Sequence, residues 1–430
     1  MTKRIVPAAL VVLALVAASC GGDDDDDTTS ATDGGATTAA AAPDATDAPD
    51  ATDAPVGTDA GTATTAAAGD CSLDAPLKIG FAADLGELGA FSDGPGSDAA
   101  EVQVALINEA GGVGGQQIEY QVKDIQGDPS ATQRAAQELL DDGVSAIIGP
   151  PFANTGAPLA TTVDGQVPII YMASTDASLA DAAKGQFLAS FSDPVQSAAA
   201  AEFVLGRDLT TAITFSSPDD VYFSGNPEYF TEAFENGGGE VVQDFSFSLA
   251  DEDFSTQVNE IASLDPQPQV LFTAMVMPQI ATLLEQLAAA GVEMTVIGVD
   301  GFDATVIWGA GDIAEGVFFT AHTFPSDTND VQTFLDEAEA AGKSIETLSF
   351  GALAADSVQI IVAAANAACS TEGPALSAAI AELADLPVTT GSVTYAGTNG
   401  VPEKDVVILE VTDGAPALVE TLRPEFVPEV

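Results

Sequence analysis

Past residue 70 the chain alternates short apolar runs with longer segments whose apolar residues recur every three to four positions. Leu77 to Ala83 is a continuous apolar run that predicts a strand. The segment 97–110 predicts a helix, because Val102, Ala105 and Leu106 stand at i, i+3 and i+4. Gly111 to Gly115, broken only by Val113, then interrupts the chain before a strand over 116–125. Glycines that follow a helix and precede a strand make a helix stop and a tight turn, the reverse of the order a phosphate cradle needs. Asp128-Pro129 is an N-cap followed by proline at the first helical position, opening a helix to about Asp142 that Gly143 ends. Val144–Gly149 and Val167–Tyr171 read as buried strands. Strands follow near 186–191, 210–215, 239–246, 268–273, 294–299 and 315–321, with helices near 194–206, 226–236, 254–263 and 277–290. Helices near 328–341, 350–368 and 374–385 and strands near 390–395 and 405–412 complete the chain. Such alternation predicts an α/β fold with parallel sheets covered by helices on both faces. About 350 residues of it exceed a single core, which predicts two lobes.

The first 70 residues follow other rules. Lys3 and Arg4 precede an apolar run, Ile5–Ala18, of 14 residues, short for a bilayer span and suited to the core of an export signal. It ends in Ala17-Ala18-Ser19-Cys20, which resembles a bacterial lipobox, with Ala17 where leucine is usual. The resemblance implies a signal peptide over 1–19 and lipidation of Cys20; an ordinary secretory signal with an incidental cysteine is the other reading. From Gly21 to Asp70 the composition narrows to Asp, Thr, Ala, Gly, Pro and little else, and cannot bury a core. As a disordered tether over 20–70 it would span roughly 35–42 Å. Cys71 and Cys369 remain. In an exported body the pair predicts one disulfide, or else two buried free thiols.

Charge changes the picture further. The chain carries 66 acidic and 10 basic residues, a formal charge of −56. Twelve of the acids lie between 23 and 70, so residues 71–430 keep 54, against 8 basic residues once Lys3 and Arg4 are set aside. Such a surface excludes nucleic acid as a partner. It also discourages free anionic ligands while tolerating cations and zwitterions.

An ordered set of short motifs resembles the periplasmic leucine/isoleucine/valine-binding proteins of ABC importers. It runs Ile107-Asn108-Glu109-Ala110-Gly111-Gly112-Val113, Gly127-Asp128-Pro129, Ala146-Ile147-Ile148-Gly149-Pro150, Pro168-Ile169-Ile170 with Ser174-Thr175-Asp176, Asp253-Phe254-Ser255, and Ile297-Gly298-Val299-Asp300-Gly301. The resemblance covers about 77–412. It implies two Rossmann-like lobes joined by three crossovers, the type I periplasmic-binding fold. Lobe one would be about 72–192 and 325–400, lobe two about 193–324 and 401–425. A small amino acid (branched-chain or related aliphatic) or similar polar organic solute would be the small-molecule ligand in the cleft, and ABC permease subunits would be the partner. The expected protein is an exported monomer, lipid-anchored on the extracytoplasmic face of the cell membrane, with no cofactor, no metal and no catalysis. A sensor of amides or ureas on the same fold and, more remotely, a surface hydrolase are the alternatives. The lipid anchor without a later membrane helix favours delivery to a separate permease over sensing.

By the same resemblance, the ligand carboxylate would meet the loops Ala153-Asn154-Thr155 and Ala173-Ser174-Thr175. Thr175 matches the family's hydroxyl contact, whereas Ala153 stands in place of a serine. Asp300 would take the ligand ammonium, unless it caps the following helix. Tyr222 would line the cleft, unless it is a core ring beside Phe215. Ser92 stands where the family has a tyrosine, Ala274-Met275-Val276-Met277 replaces a tyrosine pair, and Ala355 replaces an aromatic. These departures imply a roomier, less aromatic pocket with methionine walls. His322, the single histidine, has no metal-ligand spacing around it and reads as a structural strand or crossover residue.

Overall fold

The computed structural model describes residues 71–86, 88–345 and 347–429. The proposed signal peptide, Cys20 and the tether lie outside the described residues. All described residues belong to one unit.

The first half of the body builds a five-stranded sheet. In chain order it comprises β1 (Lys78–Ala83), α1 (Ala90–Glu109), β2 (Glu119–Asp124), α2 (Pro129–Asp141), β3 (Ala146–Gly149), α3 (Ala153–Val163), β4 (Ile169–Tyr171) and β5 (Gln186–Leu188). The strand order is β2-β1-β3-β4-β5 and every pairing is parallel, as in Phe81 opposite Ile148. Right-handed helical crossovers are what such parallel neighbours require. Two apolar clusters cover its faces, one around Phe81, Ile148 and Leu353, the other around Leu139, Ile147 and Leu159.

The chain then crosses over. The second sheet comprises α4 (Asp193–Leu205), β6 (Thr211–Ser216), α5 (Val221–Asn236), β7 (Glu240–Ser246), α6 (Ser255–Ala262), β8 (Val270–Thr273), α7 (Gln279–Ala290), β9 (Thr295–Gly298), α8 (Thr305–Trp308) and β10 (Phe318–Ala321). A second crossover returns to the first lobe for α9 (Val331–Ala340), α10 (Leu348–Ala368), α11 (Gly373–Ala381) and the hairpin β11 (Leu386–Val388) with β12 (Gly391–Val393). A third crossover leads to β13 (Val406–Thr412) and β14 (Ala415–Leu422), which extend the second sheet to β14-β13-β10-β9-β8-β6-β7. β13 pairs antiparallel with both β10 and β14, so this sheet is parallel only from β10 to β7.

Some elements escape the hydrophobic pattern. α1 starts at Ala90 instead of 97, because a helix here tolerates Pro95 early in its length and Ser92 and Asp93 bond back to Gly89. α3 carries Pro158 and two threonines, Thr161 and Thr162, whose hydroxyls bond the carbonyls four residues back. α10 is long and apolar enough to cross a membrane, yet it is largely buried in the first lobe against α1. At its end Cys369 takes a left-handed conformation, φ 46°. Cys71 sits beside it, with 5.4 Å between the Cα atoms, within the reach of a disulfide.

Candidate functional site

Loops at the carboxyl ends of the parallel strands of both sheets face one another, where open α/β sheets bind ligands. They border a small space lined by Phe91, Ser92, Pro151, Phe152, Ala173, Thr175, Tyr222, Asp300, Gly301 and Phe350, a cavity of about 10 Å³, on the order of a single water. Asp300 and Thr175 are each only 2% exposed, so the two lobes stand closed around the space.

Asp300 follows β9 and turns its carboxylate into the cleft. The Tyr222 hydroxyl donates to Oδ1 at 2.8 Å, and His322 Nε2 lies 3.0 Å from Oδ2. A carboxylate only accepts, so Nε2 carries the imidazole proton. The N–H of Gly301 donates in turn to the Tyr222 oxygen at 2.9 Å. A Cβ on Gly301 would stand 2.7 Å from that oxygen, which is why glycine follows the aspartate. Burial raises the Tyr222 phenol well above its ordinary value, and the charge of Asp300 adds to the rise. Burial also lowers His322, with the Asp300 hydrogen bond opposing it, which leaves a neutral ring stacked on Phe191 at 3.9 Å.

Thr175 follows β4, but its hydroxyl donates to Asp193 Oδ1 at 2.6 Å. The same oxygen takes Asn226 Nδ2 at 2.9 Å and Gln196 Nε2 at 3.0 Å. Burial lifts the Asp193 carboxyl to about 7, the Thr175 hydrogen bond working against it and the charge of Asp300 adding to it. A further carboxylate of the second lobe also reaches across. Asp303 Oδ2 accepts the N–H of Ser349, in the first turn of α10, at 3.2 Å, while its Oδ1 has no partner. Burial lifts Asp303 to about 6. Burial raises Asp220, with the N–H of Tyr222, which donates to its Oδ1 at 3.1 Å, opposing the rise.

Among the sequence-derived candidates, Ser92, Ala173, Thr175, Tyr222 and Asp300 line the space together. Ala153, Asn154 and Thr155 do not. Asn154 is exposed, and the Thr155 hydroxyl bonds back to the Phe152 carbonyl at 3.1 Å because α3 already begins at Ala153. Ser174 is buried off the lining and its carbonyl accepts from Ser190. Asp300 does not cap the next helical turn with its side chain.

Two expectations need correction. The pocket is neither roomy nor poor in aromatics: Phe91, Phe152, Tyr222 and Phe350 all face it. Met275 is buried in the second-lobe core and Met277 packs against that core, while Ala355 belongs to the first-lobe core. The early start of α1 and of α10 brings Phe91 and Phe350 to the cleft, where their rings pack edge to face at 5.4 Å. His322 does stand at a crossover, and its Nε2 there meets the Asp300 carboxylate. Its signal in the sequence was its position one residue past β10, the strand hydrogen-bonded to the Asp300 strand. Among the described residues no three His, Cys, Asp or Glu side chains group as a metal site.

Comparison with known proteins places this geometry. The sequence profile described as periplasmic binding protein matches residues 76–416. The Leu/Ile/Val-binding protein BraC3 of Rhizobium johnstonii is 27% identical over 330 residues, 75% of this chain and 88% of that protein. The leucine binding protein LivK of Thermotoga maritima superposes with a TM-score of 0.72 at 24% identity, over 81% of this chain and 99% of that one. A solute binding protein of R. palustris in complex with benzoate gives 0.70 at 21% identity, over 83% and 98%. These structures share the fold.

Proposed function

The chain belongs to the periplasmic binding protein family, and from that premise we propose that it is the extracytoplasmic solute-binding subunit of an ABC importer. The single observation that carries this reading is the small space at the strand ends, lined from both lobes and bridged by hydrogen bonds that first-lobe groups donate to second-lobe carboxylates. Three crossovers let such lobes hinge apart, and closure on a solute gives a membrane permease two shapes to distinguish. Lipidation of Cys20 and the tether that follows would keep the protein beside its permease. The names of BraC3 and LivK point to leucine, isoleucine or valine and the R. palustris complex to benzoate, and Asp300 supplies the acceptor for an ammonium group.

A thermal-shift screen of the full chain against amino acids, amines, amides, ureas and short carboxylates tests the reading. A solute that binds only the folded protein raises the melting temperature in proportion to the logarithm of its concentration. At least one class should do so. If none does, the solute-binding assignment fails.

A further inference from the structure

The cavity carries one unbalanced group. Its polar lining side chains are Ser92, Thr175, Tyr222 and Asp300. The Ser92 hydroxyl donates to the Gly89 carbonyl at 3.1 Å, the Thr175 hydroxyl to Asp193 and the Tyr222 hydroxyl to Asp300. No lysine or arginine lines the space, and His322 is held neutral by burial behind Asp300. Two of the Asp300 lone-pair positions are taken by Tyr222 and His322, which leaves others on the same carboxylate. The rest of the wall is Pro151, Ala173, Gly301 and the rings of Phe91, Phe152 and Phe350, and aromatic faces attract a cation.

The one lining hydroxyl after β4 that could meet a ligand carboxylate is already claimed by one of the protein's own acids. Asp193 holds the Thr175 hydroxyl at 2.6 Å. A ligand carboxylate entering there would compete with the Asp193 carboxyl for the same hydroxyl proton and, once Asp193 is ionised, would face a like charge, which costs affinity. We propose that the solute is a small organic cation, an amine with an apolar body and no carboxylate, seated on Asp300 among Phe91, Phe152, Tyr222 and Phe350. This rests on the solute-binding reading above and narrows it.

Three probes with one apolar body separate the charges: 3-methylbutylamine, L-leucine and 4-methylpentanoate, titrated calorimetrically into the full chain. The amine should bind at least about tenfold more tightly than leucine, a difference of about 1.4 kcal/mol, and 4-methylpentanoate should give no binding heat. Asp300→Asn should weaken the amine by a similar factor and bring it level with leucine. Leucine binding as tightly as the amine, or any binding of 4-methylpentanoate, overturns the cation assignment and leaves the solute-binding reading standing. The same holds if all three fail while an uncharged amide binds. If the three probes and the wider solute panel all fail, both readings fall together.

Discussion

Asp356, near the crossovers, and Asp300, in the cleft, are equally buried carboxylates with opposite equipment. Asp356 on α10 receives the Lys404 ammonium at 3.1 Å and both the N–H and hydroxyl of Thr390. Lys404, on the third crossover, also donates to the Thr390 hydroxyl and to the Ala189 carbonyl on the first crossover, each at 2.9 Å. One of the few basic residues of the body is thus fixed where two crossovers meet a lobe-one helix. Asp300 has neutral donors only, Tyr222 and His322. A buried carboxylate with its own cation is a joint; one without a cation, facing a cavity, is prepared to receive one.

Breaking the joint should have the largest effect. Lys404→Met leaves Asp356 buried without a counter-charge, and removing one partner of a buried pair costs about 3–5 kcal/mol. Urea unfolding of the full chain reads this directly. Asp300→Asn in the same assay should leave stability unchanged or raised, since it deletes a charge whose side-chain partners, Tyr222 and His322, are neutral. A large loss from Asp300→Asn and none from Lys404→Met would invert the comparison.

A smaller effect should appear as a pH slope. Burial raises Asp193 from 3.8 to about 7, so the folded protein holds this proton more tightly than the unfolded chain. The associated stability is full below pH 3.8 and is lost as pH rises through about 7. Its slope between these values is up to about 1.4 kcal/mol per pH unit. Asp303, raised to about 6 by burial, acts in the same direction, while the lowered His322 acts in the opposite one. Asp193→Asn should flatten the slope of stability against pH and raise the melting temperature at pH 8. An unaltered slope would show that Asp193 contributes none of it.

The fold was legible because its signals are local. The apolar run at Leu77–Ala83, the Asp128-Pro129 start and the Gly143 stop each act within a few residues, and the structure places β1 and α2 accordingly, with Asp128 capping the N–H of Ala131. The C-terminal hairpin was harder. β14 is an edge strand with mostly half-exposed residues, so its pattern lacks the contrast of a buried strand. The site was legible in part. Asp300 and Thr175 could be named from their places in the ordered motifs, and Tyr222 from its alignment with a cleft tyrosine of the family. What Thr175 bonds to could not, because Asp193 arrives from the far side of a crossover, and sequence distance gives no hint of that meeting. Phe91 and Phe350 were hidden for a related reason: helix starts shifted by a few residues decide which face of the first turn looks into the cleft.

The most direct measurement is a crystal structure of the protein with 3-methylbutylamine. The account predicts the ligand nitrogen within hydrogen-bond distance of the Asp300 carboxylate, its body against Phe91, Phe152 and Phe350, and the Thr175 hydroxyl still on Asp193. A ligand nitrogen placed away from Asp300, or a Thr175 hydroxyl turned from Asp193 to the ligand, would contradict it.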